Sequence, residues 1–311
     1  MIYSLLKIII RLALRIFCCR VTIRNKSALL IRGPILITAN HPNSFLDAII
    51  IGSLFNRPVH FLARGDAFRK AWHSRLLGLL NMIPVYRLSE GKETLSLNDN
   101  AFRRSGEILA ANGIVLIFIE GICVHKHELQ PFKKGAARIA MENKAVKGLQ
   151  ILPFGIAYDS FERFGKKINI NIGEPLLPQS LFPFDEEAKN KMNFNAVVYS
   201  EIEELIDVPP NEKSLLRTKN TWVFLPAMAG YILNILCYLP IKEFLKKKTR
   251  GTVFFDSVLF GSLLFLYPIY VLLVCILLCE LHVYIAIIAL FFFLFPLSAW
   301  CAVQWRRGFR P

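Results

Sequence analysis

His41 and Asp47 stand six positions apart, just after the apolar run Ile35-Leu36-Ile37-Thr38-Ala39. Histidine is the side chain suited to act as a general base near neutral pH. A carboxylate within reach would orient its ring and stabilise the imidazolium that forms when it takes a proton. The apolar run reads as a strand, and Pro42 suits the first position of a helix. His41 then sits at a strand-to-helix junction, with Asp47 inside the helix. Such a pair can draw the proton from a hydroxyl as its oxygen attacks an acyl thioester. No Gly-x-Ser-x-Gly elbow is present, so direct attack is simpler than a serine acyl-enzyme. The plain alternative is that His41 only caps the helix and Asp47 is a surface group.

The elements that must position this pair alternate between strand and helix. Apolar runs predict strands over 20–25, 34–39, 59–63, 82–86, 114–119, 150–157 and 167–172. Helical periodicity predicts helices over 43–55, 66–80, 94–111, 134–143 and 191–207, with 174–190 as a surface connection. The alternation reads as α/β, a mixed and largely parallel sheet covered by helices. Functional groups in such sheets gather at the C-terminal ends of strands. His41, Arg64, Arg87 and Glu120 each closely follow a predicted strand.

The flanks point to a membrane. The chain has 311 residues and a formal charge of +15, which suits a nucleic acid or an anionic lipid surface. The basic residues adjoin apolar runs, and neither a zinc finger nor an RNP-type aromatic motif is present, so the expected partner is membrane lipid and not nucleic acid. Residues 1–19 are expected to form an amphipathic helix in the headgroup plane, with Ser4, Lys7, Arg11 and Arg15 in one polar stripe. Those charges, and the lack of a small-residue cleavage site, argue against a signal peptide. Residues 20–217 form the expected catalytic domain and 218–311 a membrane region. Segments 252–279 and 281–303 are long enough to span as helices. Basic clusters at 242–250 and at Arg306, Arg307 and Arg310 place their flanks on the cytoplasmic face, where the catalytic domain is also expected from its cysteine usage. Segment 222–240 would then be re-entrant or interfacial. Seven cysteines without a Cys-x-x-Cys pair suggest reduced thiols. Cys123, His125 and His127 alternate as ligands on one strand face would, but no fourth ligand is near, so no metal is expected.

Four blocks resemble the motifs of the glycerolipid (lysophospholipid) acyltransferase family, in the family's order and across residues 20–175. Asn40-His41 through Asp47 is similar to the first, Ile83-Pro84-Val85-Tyr86-Arg87 to the second, Phe118-Ile119-Glu120-Gly121 to the third, and Ile151-Leu152-Pro153-Phe154 to the fourth. The resemblance implies His41 as base and Asp47 as its partner. It implies Arg87 as a phosphate holder, Glu120 and Gly121 as shapers of the acceptor pocket, and Pro153 at the donor or structural end. Read as residues, Arg64 and the pair Lys133-Lys134 could add phosphate contacts, and Glu120 could instead be a structural carboxylate accepting backbone hydrogen bonds. Two departures stand out. Five residues, Pro42 to Leu46, separate His41 from Asp47 where the family has four, and Ile119 replaces the proline of the third motif.

The expectation is a membrane O-acyltransferase without a cofactor, using acyl-CoA or acyl carrier protein thioesters as co-substrate. The expected acceptor is 1-acylglycerol 3-phosphate, with glycerol 3-phosphate or a lyso-aminolipid hydroxyl as alternatives. The competing classes are a non-catalytic lipid-binding membrane protein, which the wider His41–Asp47 spacing would favour, and a hydrolase.

Overall fold

The computed structural model describes residues 2–86, 97–209 and 224–305. Runs rich in Ile, Val and Phe form strands because branched and aromatic side chains pack well on a pleated surface. All seven expected strands are present: β1 (Cys18–Arg24), β2 (Ile35–Ala39), β3 (Val59–Arg64), β4 (Met82–Val85), β5 (Ile114–Phe118), β6 (Gln150–Tyr158) and β7 (Lys166–Ile172). They form one sheet in the order β1-β7-β6-β2-β5-β3-β4. Every neighbouring pair is parallel except β6 with β7. Ala39 pairs with Phe118 on one side and Phe154 on the other. The chain therefore leaves β2 for His41 between two other strands, at the end of the sheet expected to carry function.

Ten helices are described: α1 (Ile2–Phe17), α2 (Ser44–Leu54), α3 (Ala71–Leu79), α4 (Asn98–Ala110), α5 (Gly135–Glu142), α6 (Pro178–Leu181), α7 (Glu187–Leu205), α8 (Phe224–Lys248), α9 (Phe255–Glu280) and α10 (Ile285–Trp305). The single helix expected over 66–80 is split. A 3-10 turn, Gly65–Phe68, precedes α3. A side chain at Gly65 would meet the Tyr86 ring at 2.3 Å, so the chain is pressed against β4's end before α3 begins. A short helix, α6, interrupts the expected connection, with Pro178 at its start.

Side chains alternate across the sheet with the period of two that strands impose. Ile35, Ile37, Ala39, Leu116 and Phe154 join one core with α2, Leu14 and Phe17 of α1, and Phe255, Leu259 and Phe260 of α9. Leu36, Val115, Ile117 and Ile151 join the other with α4, α5, α6 and α7. The first turns of an apolar C-terminal helix are thus part of the catalytic domain's own core.

The basic stripe of α1 is turned in part toward protein: Lys7 is buried, while Arg11 and Arg15 stay exposed. Lys7 Nζ donates to the carbonyls of Phe55, Asn56 and Arg57 at 2.9, 3.2 and 2.9 Å. Arg11 Nε donates to Ser53 O at 2.6 Å. The last carbonyls of α2 lack intrahelical donors and carry partial negative charge, which draws these cations inward. Leu5, Ile8, Ile9 and Leu12 are left exposed.

α8, α9 and α10 are each long and apolar enough to cross a membrane. From Phe224 onward, the segment expected to be re-entrant or interfacial belongs to one helix that continues through Pro240 to Lys248. The basic residues of the 242–250 cluster fall mostly in its last turns, where cations are favoured. Tyr267 Oη donates to Asn234 Oδ1 at 2.8 Å, and Gly230 lies against the backbone of Ser298, the small-residue contact that brings apolar helices close.

Candidate active site

The loop after β2 is built by backbone groups. Asn40 extends the ladder with its side chain: Nδ2 donates to Ile156 O at 2.9 Å, and Ile156 N donates to Oδ1 at 2.8 Å. This fixes where His41 leaves the sheet. The His41 amide donates to Glu120 Oε2 at 2.9 Å. Its ring stacks on Phe118, with centroids 3.8 Å apart and planes 11° from parallel.

His41 Nδ1 lies 2.9 Å from Asp47 Oδ2. The five intervening residues do not separate the pair. α2 starts only at Ser44, whose φ of 50° turns the chain through the left-handed region. Asp47 then reaches back to the Asn43 amide, which donates to Oδ2 at 2.7 Å. This is a capping-box contact displaced by one residue, and it absorbs the extra position. Tyr158 Oη donates to Asp47 Oδ1 at 2.6 Å. Burial, and then the charge of Asp47, push the Tyr158 phenol well above its ordinary range, so it remains a donor. Asp47 is fully buried and holds three donors.

A carboxylate only accepts, so the proton on His41 belongs at Nδ1 and the Nε2 lone pair is left open. The ring keeps 17% of its side-chain surface exposed. The arrangement can take a proton from a hydroxyl.

Glu120 accepts two backbone amides. Its Oε1 accepts the Gln130 amide at 3.0 Å, and Oε2 accepts that of His41. Burial pushes its carboxyl upward, against the lowering effect of these two amides. It bridges the loop after β5 to the loop after β2. Gly121 has φ +65°, and a side chain there would meet Lys133 Cγ at 2.8 Å, so the turn needs glycine. Lys133 packs over that turn, its amide donating to Ile119 O at 2.9 Å. Lys134, at the start of α5, lines a shallow depression with Glu187 and Lys191 of α7. Arg64 is engaged by Asp66 in a two-bond ion pair. Arg87 lies outside the described residues.

Cys123, His125 and His127 go to separate partners. The Ser44 amide donates to Cys123 Sγ at 3.0 Å, while the Nε2 atoms of His125 and His127 lie 3.2 Å from Val253 O and 2.8 Å from Tyr158 O. Among the described residues, no cluster of three or more His, Cys, Asp or Glu is disposed to hold a metal.

Sequence reasoning missed Tyr158 and, beneath the loop, Asp256 and Ser257. Both had a signal. A tyrosine directly following the apolar run expected over 150–157 must find a partner for its hydroxyl. An acid opening a long apolar helix must be paired.

Residues 20–157 match the Acyltransferase family model. No curated protein sequence matches the chain. Among solved structures, the 1-acyl-sn-glycerophosphate (LPA) acyltransferase PlsC from Thermotoga maritima is similar over 66% of this chain and 81% of that one, with 22% identity and a TM-score of 0.47. With His41 and Asp47 paired inside the matched segment, residues 20–157 are a domain of the Acyltransferase family, and the chain is an acyltransferase.

Proposed function

We propose that the chain transfers a fatty acyl group from a thioester of coenzyme A or acyl carrier protein to the hydroxyl of a membrane glycerolipid, with 1-acylglycerol 3-phosphate as the acceptor. The observation that carries this reading is the His41 Nδ1–Asp47 Oδ2 contact of 2.9 Å, within a family-matching domain packed on long apolar helices. His41 Nε2 takes the acceptor's hydroxyl proton as that oxygen bonds to the thioester carbonyl carbon. The tetrahedral intermediate collapses, the carbon–sulfur bond breaks, and the proton passes from His41 to the leaving thiolate. Asp47 stabilises the imidazolium between these steps. The transfer needs no cofactor beyond the thioester co-substrate.

A phosphate-bearing acceptor is supported by the net charge and by Lys133 over the Gly121 turn, with Arg87 as a further cation in the sequence. Glycerol 3-phosphate and a lyso-aminolipid hydroxyl are the other acceptors to be offered. The basic residues Lys242 to Arg250 and Arg306, Arg307 and Arg310 support a cytoplasmic site.

The test is an assay of membranes containing the chain, with labelled acyl donor and each acceptor in turn. Label in phosphatidic acid, lost in His41→Ala, is the expected result. Label in the product of another acceptor only would overturn the acceptor assignment. Free fatty acid as sole product would indicate a hydrolase, and no turnover of any acceptor by folded protein a lipid-binding role.

A further inference from the structure

We infer that Asp256 and Ser257, at the start of α9, are positioning residues for the His41–Asp47 pair. The long apolar helix α9 is then a working part of the acyl-transfer site and not only its anchor. The inference rests on the reading of His41 as the base.

Every strong polar group of Asn43 but one is committed, and two go to α9. Its amide donates to Asp47, its Nδ2 donates to Asp256 Oδ2 at 2.8 Å, and its carbonyl accepts Ser257 Oγ at 3.1 Å. The Leu46 amide donates to Ser257 Oγ, also at 3.1 Å. Asp256 is held in turn by Lys166 of β7, an ion pair with both side chains fully buried. Asn43 is therefore a hinge. The group that orients Asp47 and the groups that contact α9 belong to one residue, so displacing α9 displaces a donor on the orienting carboxylate.

The loop after β5 rests on the same stretch. His125 Nε2 reaches Val253 O at 3.2 Å, and Phe45 stacks on Phe254 with centroids 6.0 Å apart. Residues 253–257 thus seat both loops of the site. A seat of this kind suits a loop with an extra residue and a left-handed serine at its turn, a conformation that surrounding contacts must hold. A buried ion pair contributes little net stability where apolar side chains could pack instead, and is best understood as fixing one arrangement. Here the arrangement it fixes contains the pair.

The test uses full-length protein in membranes. Ser257→Ala removes both hydroxyl contacts and leaves the ion pair. The expected result is a roughly tenfold fall in kcat, with both KM values within about twofold of wild type, as for an interaction needed in the transition state. Ser257→Thr keeps the hydroxyl and is expected to restore kcat. A second variant, Lys166→Met with Asp256→Met, removes the buried charges together and still abandons Asn43. It is expected to fold and to lose kcat by tenfold or more. Wild-type kcat per folded molecule in both Ser257→Ala and the double variant overturns the inference. So does a Ser257→Ala loss that Ser257→Thr fails to restore. His41→Ala is assayed alongside. If it retains activity, the base assignment fails and this inference with it. If it is inactive while the α9 variants turn over normally, only the positioning role fails.

Discussion

The two faces of the sheet are covered by different kinds of contact. On one, α4, α5 and α7 come from the middle of the chain and pack through side chains such as Phe102, Ile139, Phe194, Val198 and Ile202. Their ion pairs, Arg104–Glu107 and Arg138–Glu142 among them, lie at the surface. On the other, α1 and α9 come from opposite ends of the described chain and reach α2 and its entry loop through long-range polar contacts, several of them buried. Apolar burial is non-directional and tolerates small displacements. Hydrogen bonds demand an angle as well as a distance. The site hangs from the directional face, and the other supplies stability without setting geometry.

The sharpest way to break this contrast is at the pair itself. His41→Ala is expected to lower acyl transfer by about 10²–10⁴-fold in protein that still folds, with the unfolding midpoint lowered only about as far as by Tyr158→Phe, since each loses one hydrogen bond to Asp47; the two are measured on the same preparation. Next come two buried substitutions of similar cost. Phe194→Ala on the apolar face is expected to destabilise by roughly 3–5 kcal/mol through cavity formation. Lys166→Met on the polar face should cost about 3–5 kcal/mol by leaving Asp256 unpaired. Activity per folded molecule should separate them, unchanged in the first and reduced in the second. Tyr158→Phe removes one hydrogen bond to a charged group, worth about 1.5–3 kcal/mol. It is expected to lower kcat by about tenfold with little change in KM.

The smallest effect lies at α1. Burial, and then the charge of Arg11, lower the Lys7 pKa from its ordinary 10.5 to about 8. Between those values the unfolded chain binds more protons than the folded one, so this group makes stability rise with pH from about 8 to 10.5. Lys7→Met should flatten that rise in a series of unfolding curves. An unaltered slope would show that Lys7 does not sense its burial.

The sheet was readable because its strands are short apolar runs bounded by glycine, proline and asparagine. Ile35 to Ala39 is buried throughout, as its composition implies. The reversal of β7 against β6 has no comparable local mark. Spacing alone left the His41–Asp47 contact open, since it depends on where α2 begins and on Ser44 turning left-handed. Periodicity found the basic stripe of α1 but not its partner, because a stripe does not reveal whether lipid or carbonyl groups face it. Tyr158 and Asp256 stand 111 and 209 residues beyond Asp47, and no local pattern joins groups that far apart. Each nonetheless carried a warning, a polar atom in an apolar run that must be satisfied somewhere.

The reach from Asn43 to Asp256 also sets an order in time. The two are 213 residues apart. At a synthesis rate of 5–20 residues per second, roughly 10–40 s separate their appearance. Over that interval the nascent sheet can gather its early strands, but the loop bearing the histidine has no floor. The floor arrives only with the first turn of α9, after α8 has been made. A chain cut short before that point would carry every residue of the family-matching domain and still lack the contacts that hold its base in place. Completion of the site thereby waits for the apolar C-terminal part of the chain.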